Sequence, residues 1–309
     1  MQLLNAHATE AALPYTGLAE AIAKLLKSGA AQVPTRLVPE VSPGARLFVM
    51  PASDGELAIT KLISLVPSNA QRGLPAIQGQ VVVFDAVDGR CLMSLDGPTV
   101  TARRTAAVSL LAALTLTRRR EGDVLIVGAG VQGKAHLDAF AQGLGLHRFW
   151  IASRSPSSAQ ALADHARALG LWAQAVKDPH EALPRCDWVL TCTPALSVCL
   201  REMPKAGAFV SAVGAYTPAM SEWSREVCLA LAQSARVVVD SRDADHEAGD
   251  LIQAGLNVAN YPTLADVLTT QTDVANVSMR DDTVFFHNCG WAGWDLAAAR
   301  CAVAQRAMT

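Results

Sequence analysis

Short runs in which every position is apolar recur along the second half of the chain, separated by stretches with helical spacing. "VLIVG", "RFWIAS", "DWVLTCT", "AFVSAVG" and "RVVVD" read as strands, and "VQGKAHLDAFAQGL" and "PSSAQALADHARALG" as helices. A strand without a polar face belongs in a sheet covered on both sides, and strand–helix alternation makes that sheet parallel. From Asp123 onward the pattern therefore predicts a Rossmann-type α/β block.

The leading part has a different rhythm. "LAEAIAKLLKSG" places apolar residues at helical spacing and ends in glycine, whereas "RLFVMP", "AITKLISLVP" and "QGQVVVFDAVDGRCLMSLDG" are strands punctuated by turn signals, with "VDGR" as a hairpin turn. This predicts a mixed α+β domain, largely antiparallel, ahead of the parallel block. After Asp282, "TVFFHNCG" reads as a strand and "WAGWDLAAARCAVAQRAM" as a helix, a tail that either closes the Rossmann block or returns to the first domain. The expected division is residues 1–117 completed by a C-terminal helix over 288–309, and a dinucleotide-binding domain over 118–287.

Composition narrows the picture further. At 309 residues and 51% hydrophobic the chain suits two domains with a large core. With 26 basic and 28 acidic residues it lacks the basic excess of a nucleic-acid binder, and the run Arg118, Arg119, Arg120 is expected to be a solvated helix end or linker. The apolar run "TAAVSLLAALTL" falls short of the roughly 20 residues that cross a bilayer. "MQLLNAHATEAALPYTG" lacks the basic flank and continuous apolar core of a secretory signal. Seven scattered cysteines without a CxxC predict a reduced, cytoplasmic protein with no metal site.

The chemistry starts at "DVLIVGAGVQGKAH". Gly128, Gly130 and Gly133, with Val131 and Gln132 among them, follow a strand and open a helix, the context in which this spacing binds a dinucleotide. Gly128 serves the tight turn, Gly130 the approach of the pyrophosphate, and Gly133 close helix–strand packing. At the end of the next strand, where an NAD site places a carboxylate, stand Ser153, Arg154 and Ser155. A guanidinium and hydroxyls suit a 2′-phosphate, so NADPH is the expected cofactor, with NADH the second choice; a serine here also caps the helix at Pro156. Lys61 is a lone cation within "LAITKLISLV". Alternation puts it on the face of Ile59 and Ile63, where it needs an anion or must reach for water along its stem.

The stretches "VPTRLV", "ITKLISLVPSNAQRGLPAIQGQVVVFD", "SLDGPTVTARRTAAVSLLAA", "LIVGAGVQG", "VVVDSRDADHEAGDLI" and "GWAGWDLAAAR", in this order, make the chain resemble the ornithine cyclodeaminase/mu-crystallin family over nearly its whole length. The resemblance implies a homodimer whose first domain binds an amino-acid-like substrate and is completed by the C-terminal helix. It assigns Arg36, Lys61 and Arg104 to the substrate carboxylate. Thr105, the loop "TCTPA" with Thr191 and Thr193, the loop "AVGAY" with Val213, and Asn288 fall where the family contacts nicotinamide and ribose. Where ornithine cyclodeaminases carry a catalytic aspartate, this chain has Tyr216, a poor base, and so resembles the ketimine reductases instead.

The expected function is NAD(P)H-dependent reduction of a cyclic ketimine carboxylate, Δ1-pyrroline-2-carboxylate or Δ1-piperideine-2-carboxylate, to L-proline or L-pipecolate. The three cations are expected to converge on the nicotinamide across an interdomain cleft, in a site without a histidine or aspartate acid. His287, beside two phenylalanines, is expected to be a packed or solvent-edge residue and not an acid. Ornithine cyclodeaminase, alanine dehydrogenase and a non-catalytic NADPH-binding crystallin-like protein are the competing readings.

Overall fold

The computed structural model describes residues 1–194, 197–270 and 282–307. The chain divides into two compact units, Met1–Thr105 with Trp291–Thr309, and Ala106–Gly290.

The first unit is built on a six-stranded sheet. Its elements are β1 (Gln2–Leu3), α1 (Ala6–Ala12), α2 (Tyr15–Ser28), β2 (Glu40–Ser42), β3 (Ala45–Ser53), β4 (Leu57–Leu65), β5 (Ile77–Asp85), β6 (Cys91–Asp96) and the start of α3 (Gly97–Leu116). The strand order is β1-β6-β5-β4-β3-β2, antiparallel except where β1 pairs with β6. Period-2 alternation buries Ile59, Lys61 and Ile63 of β4, together with Met50 of β3, Val81 and Val83 of β5 and Leu95 of β6. Amphipathic α2 buries Leu18, Ile22 and Leu25 and ends at Gly29 in the left-handed conformation. The C-terminal helix, Ala292–Ala307, packs on α2, β3 and β4, and Trp294 and the run from Leu296 to Ala299 are fully buried. The tail thus returns to the first unit, while its strand joins the second.

Three elements escaped sequence reasoning here, among them β2, only three residues long and exposed throughout. β1 is too short for any periodicity, and α1 is announced only by Asn5, whose side chain accepts the Ala8 amide proton at 2.9 Å.

The second unit is a seven-stranded, wholly parallel sheet in the order β12-β13-β11-β10-β7-β8-β9. In chain order it holds β7 (Val124–Val127), α4 (Val131–Leu144), β8 (Arg148–Ala152), α5 (Pro156–Ala168), β9 (Trp172–Val176), β10 (Trp188–Thr191), β11 (Phe209–Ala212), α6 (Arg225–Ser234), β12 (Arg236–Val239), α7 (Ala244–Glu247), α8 (Gly249–Gln253), α9 (Leu264–Thr270) and β13 (Val284–His287). β7, β10, β11 and β13 are buried at every position, which is why they read as unbroken apolar runs. β9 carries no such run. It is an edge strand that exposes Trp172 and Gln174, so its sequence resembles a loop.

The boundary between units falls inside α3, after Thr105, rather than at its end. From Ala106 on, this helix belongs to the second unit: a Cβ on Gly143 of α4 would stand 2.5 Å from Leu110. The Ser109 hydroxyl also lies 2.9 Å from His136 Nε2, 2.9 Å from the Ser211 hydroxyl and 3.0 Å from Asn288 Nδ2, its donor. Burial brings the His136 pKa down to about 4, so the ring is neutral at physiological pH. Its Nδ1–H donates to the Gln132 carbonyl at 2.8 Å, leaving Nε2 to accept from Ser109. Arg119 is more than a solvated charge, because it pairs with Asp187 at 2.8 Å, and Lys205 meets the same carboxylate at 2.7 Å.

Among the described residues no helix is long and apolar enough to cross a membrane, and no cluster of three acidic, histidine or cysteine side chains is arranged to hold a metal ion.

Candidate functional site

Within the first unit, three elements bring charge to one buried point. β4 presents Lys61 towards the core, opposite Met50 on β3 and Val81 on β5. The first turn of the C-terminal helix supplies Asp295, and α3 supplies Arg104. Lys61 Nζ lies 2.7 Å from Asp295 Oδ2, with the side chains 3% and 0% exposed. Arg104 Nε stands 3.5 Å from Asp295 Oδ1, an ion-pair distance too long for a good hydrogen bond. Arg104 Nε and Nη1 are buried without a hydrogen-bond partner. Arg36, half-buried between α2 and β2, adds its positive field.

The electrostatics follow from that inventory. Burial brings the Lys61 pKa down to about 8; Asp295 opposes the change, and Arg104 and Arg36 reinforce it. Asp295 sits where the helix macrodipole favours negative charge. Two buried cations, Lys61 and Arg104, share one carboxylate, and the buried guanidinium retains unsatisfied N–H groups. The cluster is therefore short of one anion, and a planar carboxylate meets that deficit in both charge and geometry.

In the second unit, candidate residues line the carboxyl ends of adjacent parallel strands, where open α/β sheets bind ligands. Gly128 follows β7 at φ +108°, and a Cβ there would stand 2.5 Å from the Cys192 carbonyl oxygen. A Cβ on Gly133 would stand 1.9 Å from the Gly128 carbonyl oxygen, whereas one on Gly130 would meet nothing within 4 Å. Gly128 and Gly133 are thus required by the protein's own packing. Gly130 opens onto free space at the N-terminus of α4, which has no side-chain cap. Uncapped amides beside an open cradle fit the diphosphate of a dinucleotide. Val131 is 71% exposed beside it, and Gln132 is half-buried.

The remaining candidates are placed as follows. Arg154 is exposed at the end of β8, Ser153 lies beside it, and Ser155 caps α5 by accepting the Ser158 amide proton. Val213 is buried after β11, its amide donating to the Thr191 carbonyl at 2.9 Å. Asn288 is buried after β13. Three hydroxyls turn inward: Thr191 Oγ1 and Thr193 Oγ1 donate to Glu222, and Thr105, which lies in the first unit, donates to the Thr101 carbonyl. Ala195, the last residue of "TCTPA", lies outside the described residues. Tyr216 is 44% exposed. His287 is fully buried, its ring 3.2 Å from Asp250 Oδ2.

Sequence reasoning missed two acids. Asp295 is the anion that Lys61 needs, so the cation site does contain an aspartate. Its signal was a single charge inside the apolar run "WAGWDLAAA". Glu222 is fully buried beneath the loops after β10 and β11, and nothing in "MSEWS" sets it apart from a surface acid.

A profile described as the ornithine cyclodeaminase/mu-crystallin family matches residues 5–308. The Δ1-pyrroline-2-carboxylate/Δ1-piperideine-2-carboxylate reductase of Azospirillum brasilense is 36% identical over 97% of this chain and 94% of its own length. The ketimine reductase mu-crystallin of Rattus norvegicus is 31% identical over 95% of this chain and 92% of its own. Among solved structures, the Δ1-pyrroline-2-carboxylate reductase of Thermococcus litoralis, in complex with NADH and L-proline, superposes with a TM-score of 0.84 at 25% identity, covering 98% of this chain and 96% of that one.

Proposed function

Because the chain belongs to the ornithine cyclodeaminase/mu-crystallin family, we propose that it is an NAD(P)H-dependent reductase converting Δ1-pyrroline-2-carboxylate and Δ1-piperideine-2-carboxylate to L-proline and L-pipecolate. The observation that carries the reading is the surplus positive charge around Asp295. A small cyclic imino acid offers a carboxylate as its main handle, and the unsatisfied Arg104 N–H groups, with Lys61 and Arg36, are suited to take it. Asp295 holds the Lys61 ammonium in place. With its pKa near 8, Lys61 Nζ is also the group of this cluster able to give a proton to the imine nitrogen at neutral pH. The dihydronicotinamide supplies the hydride when bound. A cyclic iminium is already electrophilic, so orientation accounts for much of the rate.

The loop "VGAYTPAM" contains no carboxylate, which disfavours ornithine cyclodeamination. The direct test is nucleotide oxidation with the two cyclic imines. Turnover of either supports the reading; folded protein that binds nucleotide but reduces neither overturns it.

NADPH is the preferred donor in this reading, on the strength of exposed Arg154 flanked by Ser153 and Ser155. Arg154→Ala is expected to raise KM for NADPH about 10- to 100-fold, the range of one charge-assisted hydrogen-bonded pair, with little change for NADH. Equal effects on both nucleotides would remove the preference.

The protein acts as a homodimer through the outer face of the six-stranded sheet. Val49 pairs with Leu62, which is 38% exposed, and half-buried Val82 and Phe84 continue that face. An apolar patch of this kind supports isologous pairing. Leu62→Glu is expected to halve the mass seen by light scattering. Seven free thiols support a reducing, cytoplasmic setting.

A further inference from the structure

We propose that Glu222 is the positioning residue of the nucleotide site, its carboxylate holding the loops after β10 and β11 in register against the glycine turn. The inference rests on the nucleotide-dependent reading above. Glu222 Oε1 accepts from the Thr193 amide at 2.7 Å and from the Thr193 hydroxyl at 2.8 Å. Oε2 accepts from the Thr191 hydroxyl at 2.7 Å and from the Gly214 amide at 2.8 Å. A carboxylate has about four acceptor sites, and here each has a donor. Two of those donors are backbone N–H groups, which cannot turn round to accept.

The clamp reaches the glycine turn through Cys192. This residue lies between the two threonines, its amide donates to the Val127 carbonyl at 2.7 Å, and its own carbonyl blocks any side chain at Gly128. Gly214 is held as closely, since a Cβ there would stand 2.5 Å from Glu222 Oε1. Glu222 is itself anchored, because Asp250 Oδ1 accepts its amide proton at 2.7 Å and that of Trp223 at 2.9 Å. A movement of the carboxylate thus displaces both loops and presses on Gly128 together.

The titratable groups facing Glu222 are Asp250, Cys192 and Cys199. Burial, then Asp250, raises its pKa to about 7 against the pull of the threonine donors. Once protonated, the carboxyl must donate one bond, so a threonine hydroxyl has to reverse and the amides keep weaker acceptors. Nucleotide affinity is therefore full above this pH and falls below it.

The test is fluorescence titration of NADH between pH 6 and 8, with amide hydrogen exchange at Thr193 and Gly214 in the nucleotide-free protein. NADH is the probe because a 2′-phosphate would itself titrate near ~6. Wild type is expected to bind about tenfold more weakly at pH 6 than at pH 8, within the limit of tenfold per pH unit for one proton. Glu222→Gln places an N–H group against a backbone N–H. It is expected to bind about 10- to 100-fold more weakly at pH 8, as for loss of one or two hydrogen bonds to a charged group, with a flat pH profile and faster exchange at both amides. Unchanged affinity, or a retained wild-type profile, overturns the proposal. Should this variant not fold, Thr193→Val removes a single donor and must weaken binding and move the midpoint to higher pH, or the proposal falls. Imine turnover without an effect of Glu222→Gln sinks this inference alone, whereas nucleotide binding without turnover sinks the functional reading alone.

Discussion

Arg104→Ala is expected to lower kcat/KM for the cyclic imines by roughly 30- to 5,000-fold, the consequence of truncating one partner of a buried, hydrogen-bonded charge pair at about 2–5 kcal/mol. The size of the effect follows from position. The side chain is 8% exposed and two of its nitrogens lack hydrogen-bond partners, so water cannot readily replace the guanidinium when the substrate carboxylate arrives. Arg104→Lys should recover only part of the loss, because an ammonium lacks the planar fork. Direct NADH titration controls for folding. If Arg104→Ala reduces the imine within threefold of wild type, the carboxylate binds elsewhere.

The second large effect is on stability. Asp295→Ala leaves Lys61 and Arg104 buried without their shared anion, and breaking such a pair from one side destabilises by about 3–5 kcal/mol. At roughly 2–4 °C per kcal/mol, Tm should fall by about 6–20 °C near neutral pH. The pH dependence has a definite sign. In the wild type Lys61 already titrates at about 8, below its ordinary 10.5. Removing Asp295 lowers it further. A depressed lysine burdens the folded state in full below its folded pKa, and the burden fades as pH rises towards the unfolded value. The Tm gap between wild type and variant should therefore be widest at pH 7 and shrink by pH 9.5. A constant gap would show that Lys61 is not the strained group.

Much of this arrangement was legible beforehand, for identifiable reasons. Glycine spacing after a buried strand marks the turn into α4 because the backbone itself demands it: Gly133 has no room for a methyl group. Lys61 was conspicuous because period-2 alternation leaves a mid-strand cation no outward escape. Its partner was hidden, since Asp295 lies at the other end of the chain and no local pattern joins the two. Glu222 was hidden for a similar reason, its role residing in four bonds from two distant loops. β9 escaped because an edge strand need not be apolar on both faces. The inward turn of the Thr191 and Thr105 hydroxyls depends on side-chain rotation, which a sequence does not record.

The return of the last helix to the opening unit sets an order of assembly during synthesis. Residues of the parallel sheet leave the ribosome and can fold before this helix does, so the opening unit waits with Lys61 and Arg104 unneutralised. Emergence of this helix, not completion of the sheet, is the moment at which Lys61 acquires its counter-charge.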